Sequence, residues 1–337
     1  MLDETSPSCI QETRQEEAFR NTQASNNRMP ILITGHNGML GKALLRCKQG
    51  RDVVVDSLKR DLRDLQSTKN LFDEAKPTSI IHLAAKVGGL FDNAANNAAF
   101  LEDNIRINLN VLSCASNTPT LRRCVSMLST CIFPAQSELP LTPEKCHLGP
   151  PHPSNIGYSF AKRLLQVHGS ILNQWSDKQQ YISIIPTNMY GPDDRWDVDR
   201  GHVIPALIRK CHEAKVEGSP WIILGDGKDL RQFLFAEDAA RMIWALHDME
   251  NFDEFELIFA PPEEYSISQV VQLIGDIMDF DGEIVYKTDV VKGQHRKTAD
   301  GRKATILVQS VDKTFQYTSL RDGLKKTIDA FHETFMD

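Results

Sequence analysis

Tyr158 and Lys162 stand four residues apart in a stretch with helical spacing, so both side chains leave one face of a helix. An ammonium beside a phenol stabilises the phenolate and lowers its pKa from about 10 toward neutrality, which makes the tyrosine a usable acid or base. The chain has six tyrosines, and a Tyr-x-x-x-Lys pair among that many arises by chance about one time in three, so it gains meaning only from its neighbours. Ser129 is one such neighbour. It follows the apolar run 125–128, and the C-terminal ends of strands are where an open α/β sheet gathers its chemistry. A hydroxyl there can hydrogen-bond the same carbonyl oxygen that Tyr158 protonates. A second group lies just after the end of the first apolar run, where Gly35-His36-Asn37-Gly38-Met39-Leu40-Gly41 opens a helix. Side chains at the glycines would keep the backbone from a pyrophosphate, whose charge is met by the N–H groups and dipole of a helix N-terminus. At the end of the second run two signals compete. Asp56, 21 residues after Gly35, suits the ribose hydroxyls of NAD, whereas Lys59 and Arg60 suit the 2′-phosphate of NADP.

The elements that must position these groups alternate along the chain. Residues 31–33, 53–55, 80–83, 125–128 and 181–185 are short, rich in branched side chains and bounded by polar or turn residues, as strands buried on both faces are. Between them 39–47, 68–75, 91–116 and 158–175 carry helical spacing. Repeated strand–helix alternation predicts an α/β protein with a Rossmann-type doubly wound parallel sheet. After about residue 187 the alternation lapses into a helix at 202–215, a strand at 221–224, a strand–helix pair at 233–247 and helices near 267–278 and 320–335. The expected division is a disordered tail at 1–28, a cofactor-binding Rossmann domain at 29–187 with a contribution from 232–260, and a smaller C-terminal α/β substrate lobe from 188–231 and 261–337.

Composition narrows the class. A chain of 337 residues, at about 150 per domain, has room for two units. Its 38 Lys and Arg against 45 Asp and Glu leave a net charge of −7, which argues against nucleic acid or an acidic membrane held by bulk charge. Seven scattered cysteines without a Cys-x-x-Cys fit neither a disulfide framework nor a zinc site, so no metal is expected and a reducing compartment is. No apolar run approaches the roughly 18 residues that span a bilayer, and the N-terminal residues do not read as a targeting segment; a cytoplasmic protein is the expectation.

Taken together, the glycine loop, Ser129 and the Tyr158/Lys162 pair resemble the extended short-chain dehydrogenases/reductases, in which a Rossmann domain carries a C-terminal lobe for nucleotide sugars. The segments Leu128-Ser129-Thr130-Cys131-Ile132-Phe133-Pro134, Ile184-Ile185-Pro186-Thr187-Asn188-Met189-Tyr190-Gly191-Pro192 and Gly201-His202-Val203-Ile204-Pro205 are similar to those of the GDP-L-fucose synthase branch of that family. The resemblance runs from about residue 30 to near the C-terminus. It implies an NADP(H)-dependent, bifunctional 3,5-epimerase/4-reductase acting on GDP-4-keto-6-deoxy-D-mannose, working as a homodimer through helices 91–116 and 158–175. It also implies cofactor contacts from residues 35–41, Lys59, Arg60, Lys162, Pro186, Thr187, Asn188 and His202. A 4-keto group acidifies the hydrogens on both neighbouring carbons, so inversion at each needs one group to take a proton and another to return one to the opposite face. Cys131 and His202 suit that work, since thiols and imidazoles exchange protons near neutral pH.

Substrate contacts are implied for Lys210, Leu224, Arg231 and Lys292, cations among them being what a nucleoside diphosphate requires. Two of these positions depart from the family. Leu224 stands where a tryptophan is common, and Lys292-Gly293 where Asp-Gly is, so sugar recognition is the property most open to change. Trp221, three residues before Leu224, is a candidate replacement for the lost aromatic. Other readings from the same family are a nucleotide-sugar 4-epimerase or a 4,6-dehydratase; the latter normally has Asp-Glu after the catalytic Ser or Thr, where this chain has Thr130-Cys131. A non-catalytic NADP-binding partner protein is a third, which the retained Ser129, Cys131, Tyr158, Lys162 and His202 oppose.

Overall fold

Strands β1 (Ile31–Thr34), β2 (Val53–Val55), β3 (Ser79–His82), β4 (Arg123–Met127), β5 (Gln180–Pro186) and β10 (Glu256–Phe259) form one sheet. The computed structural model describes residues 29–56, 58–176, 178–198, 201–250, 253–288 and 294–335, so the tail at 1–28 lies outside the described residues. The strand order is β2-β1-β3-β4-β5-β10 and every pairing is parallel. Order reverses at β1, with β2 on one side and β3 on the other, which makes the end of β1 the topological switch point where such sheets bind ligands. The residues of β1, β3 and β4 are all buried, and apolar side chains stand next to one another at their centres rather than alternating with exposed ones.

Helices cover both faces. On one, α1 (Met39–Arg46), α7 (Ala236–Asp248) and α9 (Arg302–Val311) bury Leu40, Ala43, Leu44, Met242, Ile243 and Val308 against the sheet. On the other, α2 (Leu65–Ala75), α4 (Asn97–Ser116) and α5 (Ile156–Trp175) contribute Leu71, Phe72, Val111, Leu112 and Leu165. The helix expected over 91–116 is two, α3 (Leu90–Ala95) and α4, separated at Asn96. The Asn96 side chain turns back onto the Asp92 carbonyl and carboxylate at 3.2 and 2.9 Å, the local bonding that makes asparagine end helices.

A third core joins α6 (Val203–Glu217), α8 (Ile267–Ile277) and α10 (Leu320–Phe335) to three strand pairs. These are β6 (Asn188–Tyr190) with β9 (Phe233–Phe235), β7 (Trp221–Leu224) with β12 (Ile284–Lys287), and β8 (Leu230–Arg231) with β11 (Tyr265–Ser266). Residues 302–315, grouped by the sequence with this lobe, instead pack Ala304, Val308 and Phe315 into the core of the large sheet. Among the described residues no helix is long and apolar enough to cross a membrane.

Candidate active site

Three chain segments meet at the C-terminal edge of the parallel sheet. The loop after β1 turns at Gly35, whose φ is +72° and where a Cβ would lie 2.7 Å from the Ala84 nitrogen, so only glycine fits. Gly38 caps α1 without a side-chain bond, and no acidic residue sits in the first turn. The free N–H groups and dipole of that turn are therefore open to an anion. Leu40 is buried and Met39 packs against the same core, so these two contribute backbone rather than side chain to the loop's open face.

Beside this loop is a cleft of about 510 Å³ lined by Gly35, His36, Asn37, Lys59, Arg60 and Lys86, among others. Hydrogen bonds bear on the competition between Asp56 and the basic pair. Both Asp56 oxygens are used within its own loop, accepting from the Leu58 N–H at 3.2 Å, the Arg60 N–H at 2.5 Å and the Arg60 guanidinium at 3.0 Å. A carboxylate so occupied is a poor partner for ribose hydroxyls. It holds Arg60 at the cleft, where Glu74 grips the other end of the guanidinium at 2.5 Å, while Lys59 is exposed with φ +51°. The donor set suits a phosphorylated ribose.

Ser129 follows β4 in extended conformation and starts a short 3-10 turn, Thr130–Ile132. Its Oγ accepts from the Cys131 N–H at 3.2 Å, leaving the hydroxyl proton to donate to a ligand. The turn is clamped from α5: Ser159 Oγ donates to the Cys131 carbonyl at 2.8 Å and Arg163 Nε to the Ile132 carbonyl at 2.6 Å. Helix α5 itself is seated at Gly157, whose N–H donates to Asn97 Oδ1 at 2.9 Å and where a Cβ would fall 2.0 Å from the Asn97 carbonyl oxygen. One stripe of α5 thus carries Tyr158 and Lys162 to the site and the next carries the residues that fix Ser129 and Cys131.

Lys162 is buried, with Nζ donating to the Met127 carbonyl at 2.7 Å and lying 5.9 Å from the centre of the Tyr158 ring. Burial holds this ammonium down to about 7. The Tyr158 phenol moves opposite to the expectation: burial, and then the neighbouring Cys131, push it above the ordinary tyrosine value. Desolvation dominates, and the Lys162 ammonium is committed to the Met127 carbonyl. The tyrosine is consequently a protonated acid at neutral pH.

Pro186 ends β5 on the same edge of the sheet, followed by Thr187, whose N–H and Oγ donate to the Phe259 carbonyl at 3.0 and 3.3 Å; Asn188 begins β6, its N–H bonded to the Gln232 carbonyl at 3.2 Å. Residues 294–300 form a strap beneath Cys131. It is tied to Leu141 by backbone bonds of 2.7 and 2.9 Å and to the buried Gln232, whose carboxamide accepts from the Ala299 N–H at 2.8 Å and donates to the Pro261 and Ala299 carbonyls. The strap brings Lys297 Nζ to 4.0 Å from Cys131 Sγ. No sequence signal pointed to Lys297, because its approach depends on tertiary ties far from any motif; Ser159 and Arg163 were legible as the stripe beside Tyr158 and Lys162.

Arg231 lies close enough for Cys131 to act on its charge, and burial lowers its pKa from the arginine norm. Its guanidinium donates to the carbonyls of Leu230, Gln294 and His295 at 2.8, 2.5 and 3.1 Å, so much of its donor capacity holds the strap. His202 is the N-cap of α6 with no side-chain cap bond, half exposed, and its Nδ1 lies 3.9 Å from Asp194 Oδ1. Lys210 is half-buried two turns further along α6. Leu224 ends β7 and is exposed. Trp221 does not replace the missing aromatic: it is fully buried in the third core, edge-on to Phe280 at 5.4 Å. Lys292 lies outside the described residues.

Residues 31–259 match the NAD dependent epimerase/dehydratase family. The chain is 37% identical to a GDP-L-fucose synthase of Dictyostelium discoideum, over 92% of this chain and 98% of that one, and 36% identical to a probable GDP-L-fucose synthase of Drosophila melanogaster, over 90% and 98%. A crystal structure of a GDP-L-fucose synthetase from Naegleria fowleri bound to NADP superposes with a TM-score of 0.82 at 39% identity, covering 91% of this chain and 94% of that one. A glycine loop at the switch point, a serine–tyrosine–lysine set with a thiol beside it, and similarity across both lobes agree: the chain belongs to the NAD dependent epimerase/dehydratase family, and within it to the GDP-L-fucose synthases.

Proposed function

We propose that this chain epimerises GDP-4-keto-6-deoxy-D-mannose at C3 and C5 and reduces it at C4 with NADPH, giving GDP-L-fucose. The observation that carries the reading is Cys131, one turn from Ser129 and near enough to Tyr158 to perturb it, because a thiol at the reductase triad adds the proton exchange that a plain C4 reductase lacks. Ser129 and Tyr158 donate to the C4 carbonyl oxygen and stabilise the enolate formed when a neighbouring carbon loses its proton. Cys131 and His202 take and return protons at C3 and C5. Gly35 to Gly41, Lys59, Arg60, Lys162, Pro186, Thr187, Asn188 and His202 hold the cofactor, which supplies hydride for C4. Tyr158, kept protonated by burial, gives its proton to the C4 oxygen as the alcohol forms. Lys210 and Arg231 meet the diphosphate, with Leu224 and Lys292 at the sugar. Purified protein is expected to oxidise NADPH only when the GDP-keto-sugar is present; sugar-independent or absent oxidation contradicts the assignment.

The first unit, 29–187 with 232–260 and the 302–315 segment packed on its sheet, holds the cofactor, and the second, 188–231 with the rest of 261–337, holds the GDP-sugar. A cytoplasmic setting agrees with six free thiols among the described residues. A homodimer is supported by the outer faces of α4 and α5, which pack together and leave Leu109, Phe160, Leu164, Ile171 and Trp175 between 44% and 84% exposed. The last four lie near one stripe of α5, and a second copy would bury them as a four-helix bundle. Light scattering is expected to give a dimer for the wild type and a monomer for Phe160→Glu/Leu164→Glu; a monomeric wild type at micromolar concentration removes the dimer from the account.

A further inference from the structure

We infer that Asp194 is the positioning residue for His202, an inference that rests on the epimerase reading above. Asp194 sits in the loop after β6 and is 9% exposed. Its Oδ1 accepts from the Arg195 N–H at 2.7 Å, but its buried Oδ2 has no hydrogen-bond partner among the described residues. A buried carboxylate oxygen without a partner is costly to keep and calls for a reason. The adjacent Asp193 does not share this condition, since Lys42 and Arg46 hold it at 2.9 and 2.6 Å.

The group facing Asp194 is the His202 imidazole, with Nδ1 3.9 Å from Oδ1. That separation is about 1 Å beyond a hydrogen bond. The imidazole is half exposed and makes no bond to the helix end it caps, so a modest side-chain rotation closes the gap. Once closed, Nδ1–H donates to the carboxylate, the tautomer is fixed, and Nε2 becomes the nitrogen that exchanges protons with the sugar. The carboxylate also balances the charge of the imidazole after it has taken a proton. The oxygen nearer the imidazole is Oδ1, so the new bond joins the one from the Arg195 N–H and anchors the carboxylate to both the loop and the helix end.

The test uses full-length protein with GDP-4-keto-6-deoxy-D-mannose in deuterated water without NADPH, following isotope entry at C3 and C5, together with thermal denaturation and NADPH affinity. Asp194→Asn is expected to slow isotope entry roughly ten- to a hundredfold, as a misoriented acid–base group does, with NADPH affinity changed no more than His202→Asn changes it and a melting temperature equal to or above wild type, because an unpaired buried charge has gone. Asp194→Glu should recover part of the rate. In the His202→Asn background, Asp194→Asn should have no further effect, since it acts through the imidazole. Wild-type exchange rates in Asp194→Asn, an equal slowing in the His202→Asn background, or a lowered melting temperature with lost NADPH binding would each overturn the inference. A wild-type protein that admits no isotope instead overturns the epimerase reading beneath it.

Discussion

Tyr158→Phe is expected to lower NADPH oxidation by about a hundred- to ten-thousandfold, the usual size of a positioned general acid, while isotope from deuterated water still enters C3 and C5. The asymmetry follows from the site. Burial and Cys131 raise the phenol further above its ordinary value, so on the proposed mechanism it acts as the acid that gives its proton to the C4 oxygen during reduction. Enolate formation retains Ser129, whose hydroxyl is free to donate while Oγ accepts from the Cys131 N–H, so exchange should slow only several-fold. Phenylalanine keeps the ring, and Lys162 stays bound to the Met127 carbonyl, so the fold is undisturbed. Equal losses in exchange and reduction would instead make Tyr158 a binding group.

The second large effect is expected for Cys131→Ser. A serine hydroxyl is far too weak an acid–base group at neutral pH to replace a thiol, so isotope entry at C3 and C5 should fall by at least about a hundredfold. Product L-sugar should disappear with it. NADPH affinity should be unchanged, because the glycine loop and the Lys59/Arg60 cleft are separate from the 3-10 turn that carries the thiol. Serine also preserves the backbone bonds through which Ser159 and Ser129 fix that turn, so a loss of activity is chemical rather than structural. Exchange that survives the substitution would remove Cys131 from proton transfer and turn attention to Lys297, 4.0 Å away.

Much of the architecture is legible because it is local. Strands buried on both faces appear as apolar runs, and a loop that must admit a pyrophosphate appears as glycines at fixed spacing. The Tyr158/Lys162 stripe is a helical repeat. What escapes is tertiary. The Asn96 break in the 90–116 helix depends on one side chain bonding back to Asp92. The placement of 302–315 on the large sheet depends on where the chain returns after the smaller lobe. The Lys297 strap is set by Gln232, a residue whose sequence position gives its neighbour Arg231 prominence and hides its own anchoring role. Trp221 looked available to the sugar, but residues of one strand alternate in face and its side chain went to the core. The upward shift of Tyr158 escapes the sequence for a related reason: a motif gives the partner's identity, whereas desolvation is a property of the folded surroundings.

The central claim is that one site performs proton exchange at two carbons and reduction at a third. It is tested most directly by supplying the wild-type protein with GDP-4-keto-6-deoxy-D-mannose and NADPH in deuterated water and determining the product by mass and NMR. The account predicts NADPH oxidation in step with formation of GDP-L-fucose carrying deuterium at both C3 and C5. Oxidation that yields a C4-reduced sugar with no deuterium at either carbon would contradict it, leaving a reductase in which Cys131 and His202 move no protons.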